Sequence, residues 1–275
     1  MPFIKSAQGN AAPVNIYYEE HGTGKPVIFI HGWPLSGTMW EYQVTQLPQQ
    51  GLRCITYDRR GFGRSDWPAE GYDYNTMAGD LKSLIDELDL TDVTLVGFSM
   101  AGGEVAKYFS LYGGAKVAKV VLVSCITPYM LKTATNPEGV SQEIFDQMTK
   151  GMIEDRPGFM EGFNKDFFGV TLMHHPVSAP FLANSLTQCM NASIIATLQC
   201  AKSFSSTDLR QDVPKINVPT LVIHGDNDKT VPIKATGDQT AKLISGAQYI
   251  VYEGAPHGLW FTDKDKLNQD LINFI

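Results

Sequence analysis

Cysteine is scarce in this chain, with four residues, Cys54, Cys125, Cys189 and Cys200, among 275. None forms a C-x-x-C pair, which excludes a disulfide scaffold, a zinc ribbon and a dithiol redox motif and leaves buried free thiols. No apolar run approaches the ~18 residues of a membrane helix. The N-terminal stretch lacks the charged-then-apolar order of a secretory leader, so a cytoplasmic protein is expected. Positive charge is also short: 22 Lys+Arg against 29 Asp+Glu give a formal net charge of −7. Nucleic acids and anionic membranes both call for basic surface, so neither is an expected partner. Repeats, linkers and low-complexity segments are missing. Hydrophobic residues at 43% and charged residues at 19% match a globular domain and exclude a disordered chain.

Short apolar runs alternate with helical patterns, the mark of a parallel sheet with helices on both faces. Val14 to Glu19 alternates with period two and reads as an early, half-exposed strand. Val27 to Ile30, Cys54 to Tyr57, Val93 to Val96, Val120 to Val123, Thr220 to Ile223 and Tyr249 to Val251 read as further strands. Helices are expected over Trp40 to Gln49, after Asn75 as cap, after Ala101 through Tyr108, near Ile233 to Ile244, and from Leu267. From Ile126 to Asp212 the alternation stops. Helical patterns over Ser141 to Met152 and Ala179 to Phe204 remain, with the aromatic set Phe159, Phe163, Phe167 and Phe168. The chain therefore divides into a core, 1–125 with 213–275, and a helical cap, 126–212, expected over the Ser99 edge of the sheet.

Gly97-Phe98-Ser99-Met100-Ala101 falls between an expected strand and an expected helix. Such a sharp turn presents a serine at the strand end, and small residues must flank it because the backbone folds close on itself. The second flank is usually glycine; here it is Ala101. Ser99 at a helix N-terminus faces free N–H groups that stabilise negative charge. A serine hydroxyl is a weak nucleophile and needs a base, itself oriented by a carboxylate. His257, in Pro256-His257-Gly258, follows the last strand. Asp226 and Asp228 follow the strand ending at His224, and spacing alone leaves both open as the acid. All three loops leave the same sheet edge, where open α/β sheets bind ligands.

The chain resembles the α/β-hydrolase superfamily over nearly its whole length, and within it the cofactor-free (non-haem) haloperoxidase and arylesterase branch. Five ordered segments carry the resemblance: His31-Gly32-Trp33-Pro34-Leu35, Tyr57-Asp58-Arg59-Arg60-Gly61-Phe62-Gly63-Arg64-Ser65, Val96-Gly97-Phe98-Ser99-Met100, Val222-Ile223-His224-Gly225-Asp226-Asn227-Asp228, and Ala255-Pro256-His257-Gly258. The resemblance implies an α/β-hydrolase fold with a mostly parallel eight-stranded sheet. It implies a Ser99, Asp228, His257 triad, with the backbone N–H groups of Trp33 and Met100 as oxyanion hole. It further implies acyl transfer on small esters or lactones without metal or cofactor, and peracid formation when hydrogen peroxide replaces water. A lactonase or lactam hydrolase on the same triad, and a non-catalytic small-molecule binder on this scaffold, are the rival readings. Members of the family often assemble, so a homo-oligomer is a further expectation.

Phe163 and Phe167 are expected to line the substrate pocket, together with Pro34. Pro34 fixes its own φ and pushes Trp33 toward extended backbone, aiming the Trp33 carbonyl where it can accept a hydrogen bond from peroxide. His31 and His224 correspond to loop-organising residues of the family. His174-His175 lacks metal-ligand spacing, Gly61-Phe62-Gly63 is a turn rather than a dinucleotide fingerprint, and Asp58-Arg59-Arg60 is a structural ion-pair cluster.

Overall fold

The computed structural model describes residues 2–8 and 12–275. Eight strands form one sheet in the order β1-β2-β4-β3-β5-β6-β7-β8. They are β1 Phe3–Ser6, β2 Val14–His21, β3 Lys25–Ile30, β4 Leu52–Tyr57, β5 Val93–Phe98, β6 Val117–Val123, β7 Thr220–Gly225 and β8 Gln248–Tyr252. β2 runs antiparallel to both of its neighbours, and every pairing from β4 to β8 is parallel. β5 and β7 are buried at every residue, as unbroken apolar runs require when helices cover both faces. The helices form two groups: α2 Tyr74–Glu87 packs on α3 Ala101–Tyr112, while α1 Glu41–Val44 and α8 Leu259–Thr262 pack on α9 Lys264–Phe274. A short α7, Gly237–Leu243, joins β7 to β8.

This strand order positions the site. The chain steps from β3 to β4 on one side and then back across β3 to β5 on the other. A crevice opens where the direction reverses, at the C-terminal ends of β3 and β5. Ile30 pairs with Gly97 there, so the segments carrying Trp33 and Ser99 leave the sheet side by side.

Several boundaries differ from expectation. The single helix over Trp40 to Gln49 is broken into two 3-10 turns around the short α1, with Pro48 in the second, because proline cannot extend the preceding helix. The cap of α2 is Asp73, whose carboxylate accepts from the Thr76 N–H at 3.0 Å; Asn75 lies inside the helix. β1 is a strand beyond those expected, four residues being too few to carry a pattern.

Between β6 and β7 the chain forms α4 Gln142–Phe167, α5 Ala179–Met190 and α6 Ile194–Ser206. The helix expected from Ala179 to Phe204 is thus two. Ser193 caps α6, and the Arg156 guanidinium takes the carbonyls of Cys189, Met190 and Ala192 at 3.2, 3.0 and 2.8 Å. The first two are orphan acceptors at the end of α5 and the third lies in the link to α6, so one cation ties the helix end to that link. α4 bends at Asp155, where φ is −152° and ψ 83°; the Asp155 carboxylate caps the next turn through the Gly158 N–H at 3.0 Å. α4 packs on both α5 and α6.

Candidate active site

Ser99 has φ +56°, a left-handed conformation that side chains with a Cβ rarely adopt. The surroundings hold it there: its N–H donates to the Val123 carbonyl at 2.9 Å, and its own carbonyl accepts from the Ile126 N–H at 3.1 Å. A Cβ at Gly97 would lie 3.3 Å from the Ala101 methyl, a tight contact, so glycine at the first flank leaves room for alanine at the second.

The His257 Nε2 accepts from the Ser99 hydroxyl at 2.9 Å, and its Nδ1–H donates to Asp228 Oδ2 at 2.6 Å. All three residues are buried. Asp226 points elsewhere: its Oδ1 accepts from the exposed Gly254 N–H at 2.6 Å. Of the two carboxylates left open by spacing, Asp228 is the one within hydrogen-bond distance of His257. The N–H groups of Thr230 and Val231 bind Asp228 Oδ1 at 2.9 and 2.8 Å. Burial by itself raises the Asp228 carboxyl, but the facing His257 and the hydrogen bonds from His224 and His257 outweigh it and hold the group down to about 2.

His224 does more here than order a loop. Its Nε2 lies 3.2 Å from Asp228 Oδ2 and 3.0 Å from the Val231 carbonyl, while Nδ1 has no partner among the described residues. Both neighbours of Nε2 only accept, so the proton sits on Nε2 and is shared between them. One carboxylate oxygen thus faces two imidazoles. The sequence signal was available, since His224 and Asp228 are four apart around a strand end.

The Trp33 and Met100 N–H groups have no intramolecular acceptor among the described residues. The carbonyl preceding Trp33 is held by His31, whose Nδ1–H donates to Gly32 O at 2.8 Å while Nε2 accepts from the Arg59 N–H at 2.9 Å. Burial, then the adjacent Arg59 charge, push the His31 imidazole well below its usual range, so it is neutral. Arg59 is itself paired with fully buried Glu104 of α3 at 2.7 Å, and Arg60 with Asp80 at 2.6 Å. None of Asp58, Arg59 and Arg60 reaches the cavity.

A cavity of about 680 Å³ opens from Ser99 and His257 and is walled by Trp33, by Phe145, Phe159 and Phe163 of α4, and by Phe204 of α6. The Trp33 indole N–H donates to the Thr197 carbonyl of α6 at 2.9 Å, and its ring meets Phe163 and Phe204 edge-on at 5.3 and 5.5 Å. Two of the three expected wall residues are not on this wall. Phe167 is turned behind the imidazole, edge-on to His257 at 4.7 Å and to Phe98 at 5.9 Å, and its carbonyl accepts from the Gly258 N–H at 2.8 Å. It packs against the His257 ring instead of facing the cavity. Pro34 is buried, and the wall at that point is the Trp33 indole; the Trp33–Pro34 peptide is cis. His174 and His175 lie in an exposed loop, away from the cavity.

The model of the alpha/beta hydrolase fold family matches residues 25–264. The chain belongs to the α/β-hydrolase family. Its relatives place this hydrolase in the non-haem haloperoxidase branch. It is 40% identical to a non-heme chloroperoxidase of Kitasatospora aureofaciens, over 100% of this chain and 99% of the relative. It is 36% identical to a bifunctional esterase/perhydrolase of Acinetobacter calcoaceticus, over 95% and 96% of the two chains. Among solved structures, a bromoperoxidase from Bacillus anthracis superposes with a TM-score of 0.95 at 46% identity, covering 99% of this chain and 98% of that one.

Proposed function

We propose that this hydrolase cleaves small carboxylic esters and lactones through a Ser99 acyl-enzyme and passes the acyl group to hydrogen peroxide as well as to water. The carrying observation is the continuous line from Ser99 through His257 to Asp228, at 2.9 and 2.6 Å, opening on a cavity lined by Ser99, His257 and Trp33. Ser99 Oγ attacks the carbonyl carbon while His257 Nε2 takes its proton, and ionised Asp228 holds the imidazole tautomer and stabilises its positive form. The Trp33 and Met100 N–H groups receive the oxyanion. His257 then protonates the leaving alcohol. In deacylation it takes a proton from water or from hydrogen peroxide, and the products are the carboxylic acid or the peracid. The aromatic wall favours apolar or aryl acyl groups and excludes bulk water. The names of the relatives, a chloroperoxidase and an esterase/perhydrolase, support both acceptors.

The test is ester hydrolysis and peracid formation measured on wild type and Ser99→Ala together, with fluorophosphonate labelling. Wild type is expected to label and to turn over in both assays. Ser99→Ala should fold normally, stay unlabelled and lose on the order of 10⁵-fold in kcat. Comparable rates in the two proteins would overturn the assignment. Hydrolysis without peracid at saturating acetate and peroxide would reduce it to a plain esterase.

A further inference from the structure

Sulfur is distributed unevenly around the cavity. All four cysteines are buried and none lines it. Burial pushes the Cys125 thiol, beside the serine turn, well up, and its Sγ–H donates to the Gly97 carbonyl at 3.2 Å. It is a protonated, enclosed thiol. Two of the ten methionines behave differently: Met130 and Met148 lie on the cavity wall with Ser99 and His257. Met130 is almost fully enclosed, at 2% exposure, whereas Met148 is half-buried on α4, next to exposed Gln147. Packing alone is served as well by leucine, which has similar volume. A thioether differs in carrying lone pairs that react with electrophilic oxygen.

We propose that Met148, with Met130 as the inner partner, is an oxidation site for the peracid made at Ser99. This rests on the perhydrolysis reading above. A cavity of this volume is on the order of ten ångströms across, and Met130 and Met148 line it together with Ser99, so a peracid formed at Ser99 shares one enclosure with both thioethers. The terminal peroxy oxygen passes to the sulfur: the O–O bond breaks and the S–O bond forms. The peroxy proton goes to the departing carboxylate, which leaves as carboxylic acid. Sulfur loses two electrons and the peracid gains them, so no other reactant is needed. The sulfoxide places a strong acceptor in an apolar wall, so acyl binding weakens as turnover proceeds. Peroxide turnover is thereby self-limiting.

Met173 supplies an internal control, being 96% exposed in the loop between α4 and α5. Oxidant arriving from solvent meets it first; oxidant released inside the cavity does not. Wild type and Ser99→Ala are incubated with ethyl acetate and hydrogen peroxide, with excess free methionine to consume escaped peracid, and sulfoxide is mapped by peptide mass spectrometry. Met148 sulfoxide is expected severalfold above Met173 in wild type and at background in Ser99→Ala. Peracetic acid added from outside, without free methionine, should reverse the order. If free methionine sulfoxide forms in a Ser99-dependent way while Met148 oxidises no faster than Met173, the proposal is overturned although perhydrolysis stands. If no Ser99-dependent sulfoxide forms at all, perhydrolysis fails and the proposal falls with it. Met148→Leu adds a functional readout, each protein's activity being followed relative to its own starting rate per peracid formed. The variant should retain its rate severalfold longer; equal decay in both proteins would overturn the self-limiting role.

Discussion

Ser99, Asp228 and His257 sit just beyond the ends of β5, β7 and β8, whereas Phe163 and Met148 hang from α4 across the cavity. The first set is fixed by backbone. Ser99 is held through Val123 and Ile126, Asp228 through Thr230 and Val231, and the residue after His257 through Phe167. The second set is fixed by side-chain packing on a bent helix whose other face meets solvent. Over-determined backbone keeps reacting atoms within fractions of an ångström, as acyl transfer requires. A packed helix face defines volume and polarity, which select among acyl groups. Changes at the strand ends should therefore act on kcat, and changes on α4 on KM.

Asp228→Asn should lower kcat about 10⁴-fold by leaving the imidazole in the wrong tautomer. Asp226→Asn, two residues away, should stay near wild type. Steady-state kinetics on one ester checks both, and equal losses would break the contrast between an anchored and a peripheral carboxylate.

The same anchoring is visible in stability against acid. Asp228 is held at about 2 in the folded protein, against an ordinary value of 3.8. A depressed native value means stability that is present above the unfolded value and lost as pH falls from near 4 toward 2. The shift corresponds to about 2 kcal/mol. Acid unfolding of Asp228→Asn should lack that part of the slope. An unchanged profile would show that Asp228 is no more tightly held in the native state than in the unfolded chain.

On the α4 side the sharpest test compares neighbours one helical turn apart. Phe163→Ala should raise KM for aryl or branched acyl esters about tenfold, the equivalent of 1.4 kcal/mol, with little effect on kcat. Phe167→Ala should instead lower kcat, since its ring braces His257 at 4.7 Å. If both act on KM, the division between base support and pocket wall fails.

The smallest effect is expected at Pro34. We propose that it biases the choice of acceptor through the direction of the Trp33 carbonyl. Pro34→Leu should change the ratio of peracid formation to hydrolysis severalfold on one acyl group. A uniform change in both rates would leave Pro34 as a loop stiffener.

Legibility followed the same division. Strands buried on both faces are unbroken apolar runs, so β3 to β7 could be read from composition alone, and the motifs at their ends came with them. The four-residue β1 carried too little pattern, and the breaks at Pro48 and Ser193 were hidden inside helical periodicity. On α4, Phe163 and Phe167 share one stripe at i and i+4, and nothing in the spacing separates the residue that faces ligand from the one behind the imidazole.

What the amino-acid sequence determined by itself is the order of the elements and the motifs at the strand ends. Periodicity and turn chemistry are local properties, and the five motifs lie at strand ends whatever the loops do. Which carboxylate meets His257, which phenylalanine forms the wall and which methionines line the cavity were decided only by the tertiary structure. Each depends on the direction of a side chain relative to a partner far away in the chain. Ser99 and His257 are 158 residues apart. Only the sheet's reversal at β3 and β5, and the docking of α4 on the His257 loop, fix those directions to within a hydrogen bond.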